Sequence, residues 1–102
     1  MNNPCSPYHA AIELIGRRWT GALIMVLMDG PQRFSQLAVA VPGVSDRLLS
    51  ERLKELEAHG IVRRTVEPGP PIGVSYELTA MGADLRPALS ELQTWARRWL
   101  ES

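Results

Sequence analysis

Apolar residues recur along this chain in two different rhythms. In residues 46–59, "DRLLSERLKELEAH", Leu49, Leu53 and Leu56 fall four and three apart, the spacing of one face of a helix. In "IVRRTVE" (61–67) and "VSYEL" (74–78) the alternation is by twos and rich in β-branched residues, so both segments read as strands. Between them "PGPPIG" (68–73) can continue neither and must turn. Upstream, residues 6–15 predict a first helix ended by Gly16, residues 18–29 a second, and residues 34–41 a third stopped by Pro42-Gly43. The second is apolar on nearly every side and should be the central helix, closed by Gly30 and Pro31. Thr79 caps a last helix that runs to about residue 100, with Pro87 inside it as a bend. The order is four helices, a hairpin and a helix. The fold class is mainly α with a small β-hairpin, a winged helix-turn-helix with helical dimerisation ends, in a single domain over residues 1–102.

The fourth helix has a second stripe. With Leu49 set at zero, Leu53 lies at about 40° and Leu56 at about 340°, whereas Ser50, Lys54, Arg47 and Glu51 lie at about 100°, 140°, 160° and 200°. A helix that enters the major groove needs such a division, with leucines for the scaffold and a free side for base edges. Arginine can bond guanine O6 and N7 together, serine reaches several base edges, glutamate accepts from cytosine N4, and lysine suits phosphate or guanine. Ser45, next to Asp46 at the helix N-terminus, can cap it and, with the adjacent amides, meet a phosphate oxygen. Arg33 before the third helix, and Arg63 and Arg64 at the start of the hairpin, flank that helix and can reach phosphates. An ordinary solvated helix face would also be rich in charge, so the flanking basic residues carry weight here.

Composition changes this picture in one respect. Net charge is zero, but residues 17–64 carry eight basic side chains against five acidic ones, a local charge of +3. The remainder is −3, so one part of a small domain is suited to a polyanion. A single cysteine excludes an internal disulfide and a cysteine-built zinc site. No nucleophile–base–acid set or phosphate loop is present, so the chain is not expected to be an enzyme or to need a metal or cofactor. No apolar run approaches the roughly 20 residues that span a bilayer, and "MNNPCSP" lacks the blocks of a secretory signal, which places the protein in the cytoplasm with no membrane partner.

These features together resemble the HxlR-type transcriptional regulators, a branch of the MarR-like winged-helix proteins. The matching stretches are Cys5, "IGRRWT" (15–20), "LMDGPQRFSQL" (27–37), "PGVSDRLLSERLKELEAHGIVRR" (42–64), "YELTAMG" (76–82) and "LRPALSELQTW" (85–95). The resemblance implies a homodimer that binds double-stranded DNA at a palindromic operator and represses a neighbouring gene. It puts recognition on residues 46–59 and the wing on residues 61–78. Two positions depart from the pattern: Gly73 stands where such wings often carry arginine, and Glu51 where a neutral residue is commoner.

The last helix carries an apolar stripe, Leu85, Leu89, Leu92, Trp95 and Trp99, which with Ile12 of the first helix reads as a dimer seam. Trp19 reads as core. In some members of the family resembled, a cysteine at the position of Cys5 senses quinones, aldehydes or oxidants; an inert, packed thiol is the plainer reading. Two other functions stay open. One is a regulator gated by a small-molecule effector in an apolar cleft at the seam near Trp95 and Trp99. The other is a winged-helix protein-interaction module without DNA activity.

Overall fold

The computed structural model describes residues 6–101, so Cys5 lies outside the described residues. The elements are α1 (Pro7–Ile15), α2 (Thr20–Leu27), β1 (Gln32–Arg33), α3 (Phe34–Ala40), α4 (Asp46–Ala58), β2 (Val62–Glu67), β3 (Gly73–Leu78), α5 (Ala80–Ala83) and α6 (Arg86–Trp99). The fold is mainly helical with a three-stranded antiparallel sheet in the order β1-β3-β2, a winged helix-turn-helix. α3 and α4 form the helix-turn-helix, and β2 and β3 form the wing.

The core follows from the leucine spacing. Leu49, Leu53 and Leu56 of α4 are at most 1% exposed and meet Leu23, Ile24 and Leu27 of α2 and Leu37 of α3. α2 is the central helix, as its apolar composition requires. Ser45 caps α4, its Oγ accepting from the Leu48 amide at 3.1 Å. Gln36 Oε1 accepts from the Arg33 amide at 2.7 Å, fixing the entry of α3.

Three expectations need correction. α2 starts at Thr20, not residue 18, because Trp19 stands at φ 78 in the left-handed region and interrupts the helix. Trp19 is only partly buried against the core, with the Arg18 guanidinium 4.9 Å above its ring. Beside the hairpin there is a third strand, β1, whose Gln32 and Arg33 pair with Tyr76 and Ser75. Finally, the terminal segment is two helices, not one bent helix. The chain breaks at Asp84 and Leu85, and Pro87 sits in the first turn of α6. There its missing N–H costs nothing, since first-turn amides have no intrahelical acceptor.

Thr79 joins the wing to this terminal segment. Its hydroxyl donates to the Gly60 carbonyl, lies 3.2 Å from the Ile61 carbonyl, and accepts from the Gly82 amide at 3.2 Å. Thr79→Val keeps the shape and removes all three contacts. It should cost about 1–2 kcal/mol, read as a lower urea midpoint at unchanged m-value.

Candidate nucleic-acid interface

The outer stripe of α4 is uncovered. Arg47 keeps 91% of its side-chain surface free, Glu51 and Lys54 are exposed, and Ser50 is half-buried. Nε of Arg47 lies 3.4 Å from Oε2 of Glu51, one turn away. That long contact engages one edge of the guanidinium and leaves its two terminal nitrogens for a base edge. Glu51, the acidic residue in this stripe, thus lies beside the Arg47 guanidinium. Ser45 uses a lone pair on the Leu48 amide, and its proton stays available to an acceptor. Asp46, exposed in the first turn, is favoured by the helix dipole whether or not DNA is near.

The flanking cations differ in how far they are committed. Arg63 faces Glu77 across the β2–β3 ladder and donates to it at 3.1 Å. Arg33 donates to Glu67 at 3.2 Å. Lys54 and Arg64 have no carboxylate within ion-pair distance among the described residues, so they are the freest charges near α4. The wing tip is apolar, with Ile72 74% and Val66 52% exposed.

Two of the eight basic residues counted in this segment do not belong to a DNA face. Arg52 is 8% exposed. Its Nε donates to the Arg18 carbonyl at 3.0 Å and a terminal nitrogen reaches Glu55 at 3.3 Å. Arg17 reaches the same Glu55 oxygen at 2.9 Å. These groups bind the α1–α2 connection to the inner flank of α4. The signal was present in the helical spacing, since Arg52 falls at about 300° and so borders the leucine face. His59, at the C-terminus of α4, turns Nδ1 to the Glu55 carbonyl at 2.9 Å; a carbonyl only accepts, so that nitrogen carries the proton.

The ends of the chain supply an unpartnered apolar surface. α1 has no buried residue, and Tyr8 and Ile12 are exposed. α6 divides along its length. Leu89 is drawn into the chain's own core and Leu85 packs against it, so neither is free for a seam in the way the stripe implied. An Arg86 terminal nitrogen also ties the start of α6 to the Met28 carbonyl at 3.0 Å. Beyond that point Leu92, Trp95, Trp99 and Leu100 are 52–71% exposed. The radius of gyration is 14.8 Å, against about 13 Å for a compact chain of this length, as a projecting arm requires.

Within a single subunit there is an apolar cleft of a different lining. A cavity of about 390 Å³ lies between α1, the end of α4 and α5, lined by residues including Leu14, Ile15, His59, Ile61, Met81 and Leu85. Neither Trp95 nor Trp99 lines it. Among the described residues no helix is long and apolar enough to cross a membrane.

The arrangement of α3, α4 and wing can now be set beside known proteins. The HxlR-like helix-turn-helix family matches residues 14–102. The chain belongs to that family. It is 44% identical over 100 residues to the HTH-type transcriptional regulator YodB of Bacillus subtilis, covering 98% of this chain and 89% of that one. It is 41% identical over 97 residues to the HTH-type transcriptional regulator YvaP of the same organism, covering 95% and 90%. Among solved structures, the reduced form of YodB superposes with a TM-score of 0.87 at 44% identity, covering 95% of each chain. The redox regulator HypR in its reduced form gives 0.86 at 35% identity, covering 93% of this chain and 96% of that one. YodB has also been solved diamide-treated and quinone-bound, with TM-scores of 0.80 and 0.82 to this chain. The family is one of transcriptional regulators that bind DNA, and not of enzymes.

Proposed function

We propose that this regulator is a homodimeric repressor that places α4 of each subunit in successive major grooves of a palindromic operator. The observation that carries the reading is the division of α4 into a fully buried leucine face and an uncovered Arg47–Glu51–Lys54 face with half-buried Ser50 at its edge. Arg47 reads a base, Lys54, Arg33, Arg63 and Arg64 meet phosphates, and Ser45 donates to one. The exposed residues of α1 and of the outer half of α6 form the seam, which sets the two reading helices about 34 Å apart.

The test is footprinting and gel shift with the DNA upstream of its own locus. Affinity should fall with salt at a log–log slope of roughly −0.9 per phosphate contacted, and loss of the gene should raise transcription of a neighbour. A protein-interaction module would give no salt-dependent shift. Arg47→Ala should weaken operator binding by about 1–3 kcal/mol and relax one base position. Equal loss on random DNA would contradict base readout.

Cys5 is the proposed trigger for release. Support comes from one relative, YodB, solved both diamide-treated and quinone-bound. With one cysteine per chain, diamide can oxidise two Cys5 thiols, one from each subunit, to a disulfide while its N=N bond takes up two protons and two electrons. A quinone instead accepts the thiolate by addition. Cys5→Ser should hold the operator under either reagent; continued release would remove the thiol from the mechanism.

A further inference from the structure

The wing has a charge problem that the structure resolves with a residue from another element. Its tip, residues 68–72, contains no basic side chain. The ionisable group nearest that tip is Glu67, the last residue of β2, and a carboxylate there would oppose the approach of a phosphate backbone. Arg63 and Arg64 enter at the opposite end of the strand.

Arg33 arrives from β1. Its backbone pairs with Ser75 in the middle strand, and its guanidinium extends along the sheet to donate to Glu67 Oε1 at 3.2 Å. The residue lying beneath both groups is Gly73, which faces Glu67 in the β2–β3 register and is itself buried. A Cβ at position 73 would stand 3.0 Å from the Glu67 carboxylate, 3.1 Å from an Arg33 terminal nitrogen and 3.2 Å from its guanidinium carbon. The guanidinium and the carboxylate lie over the glycine backbone, and a side chain there would press both ends of the pair aside by a few tenths of an ångström. Glu67 uses one edge of the fork, and the Arg33 side chain keeps 54% of its surface free, enough for the remaining N–H groups to grip an oxyanion.

We propose that Arg33, from β1, is the cation that grips phosphate at the tip end of the wing, and that Glu67 and Gly73 are the residues that position it. This rests on the reading that α4 and the wing face DNA, where the first helix of a helix-turn-helix crosses the backbone and Arg33 opens α3. The pair neutralises the carboxylate near the tip and holds a long, otherwise mobile side chain in the orientation it needs. Its worth lies in orientation and not in the strength of an exposed ion pair.

The sign of one substitution separates this from a bare charge effect. If Glu67 only repelled phosphate, Glu67→Ala would tighten DNA binding. If it positions Arg33, Glu67→Ala weakens binding despite removing a negative charge. The full chain is titrated by anisotropy against a labelled duplex of the DNA upstream of its own gene, across a fourfold range of salt. Arg33→Ala removes one phosphate contact per subunit, so for the dimer it should reduce the magnitude of the log–log slope by about 1.8, which is about a twelvefold smaller loss over that range. Glu67→Ala and Gly73→Ala should each move the slope the same way, by up to that amount. Glu67→Gln, which keeps the accepting oxygen, should bind at least as tightly as the parent. In an Arg33→Ala background, which bares the carboxylate, Glu67→Ala should no longer weaken binding and should instead tighten it.

Tighter binding by Glu67→Ala in the parent chain, or equal effects in both backgrounds, overturns the proposal while leaving the DNA-reading role standing. Absence of salt-dependent binding by the parent chain overturns both. Urea midpoints of all five variants, the double one included, distinguish repositioning from loss of fold.

Discussion

Replacing Trp95 and Trp99 together by aspartate should give a folded monomer that has lost about 10²–10⁴-fold of its operator affinity. The fold should survive because neither indole belongs to the core. They are 52% and 67% exposed, on the part of α6 beyond Leu89. The exposed portions of two indoles amount to roughly 200 Å² per subunit, worth about 5 kcal/mol per subunit when covered. For two subunits that is comparable with the about 4–15 kcal/mol that association costs, and Leu92, Leu100 and Ile12 add to it. Two carboxylates in that surface would have to be desolvated for the seam to close. Each half-site contact would then be made alone, and the gain from tethering two reading helices would vanish. Light scattering gives the mass, circular dichroism the helix content, and gel shift the affinity. A dimer that persists would place the seam elsewhere.

Leu53→Ala should cost about 2–5 kcal/mol, a large share of the about 5–15 kcal/mol that holds a domain together. Leu53 is 1% exposed and lies between Leu49 and Leu56 against the α2 and α3 leucines. Its truncation leaves a cavity that neighbouring elements can only partly fill. Its neighbour Lys54 is the control. Lys54→Ala should move stability by no more than about 0.5 kcal/mol but should lower affinity on operator and random DNA alike, as loss of a phosphate contact does. Adjacent residues on one helix thus separate folding from binding. Equal effects of the two substitutions on the urea midpoint would mean that the outward face is packed after all.

Much of this architecture was legible because its elements carry their own local signals. α4 announces itself through leucines three and four apart and a capping serine. The wing shows alternation on either side of a proline-rich turn. β1 has only two residues, too few for any period, and Gln32-Arg33 is extended only because β3 lies beside it. The division of the terminal segment turned on Pro87, which is as much at home in a first turn as it is disruptive in an interior. The place of Arg52 at the edge of the leucine face was legible in the helical spacing, but its partners, the Arg18 carbonyl and Glu55, were not. The contact of Arg33 with Glu67 spans 34 residues, and no local pattern could announce it. The candidate face of α4 was therefore readable in advance, whereas the partners that orient or withdraw its flanking cations were not.

The clasp formed by Arg17, Arg52, Glu55 and the Arg18 carbonyl has a mechanical consequence. It fastens the turn that follows α1 to the inner flank of α4, through the Arg17–Glu55 and Arg18–Arg52 contacts on one side of that helix. In the proposed dimer, a tilt of α1 against its counterpart would be passed to α4 through this clasp. The stride between half-sites would then follow the packing of the chain ends, and a small change there would alter the fit to DNA with every side chain on the outer stripe of α4 unmoved.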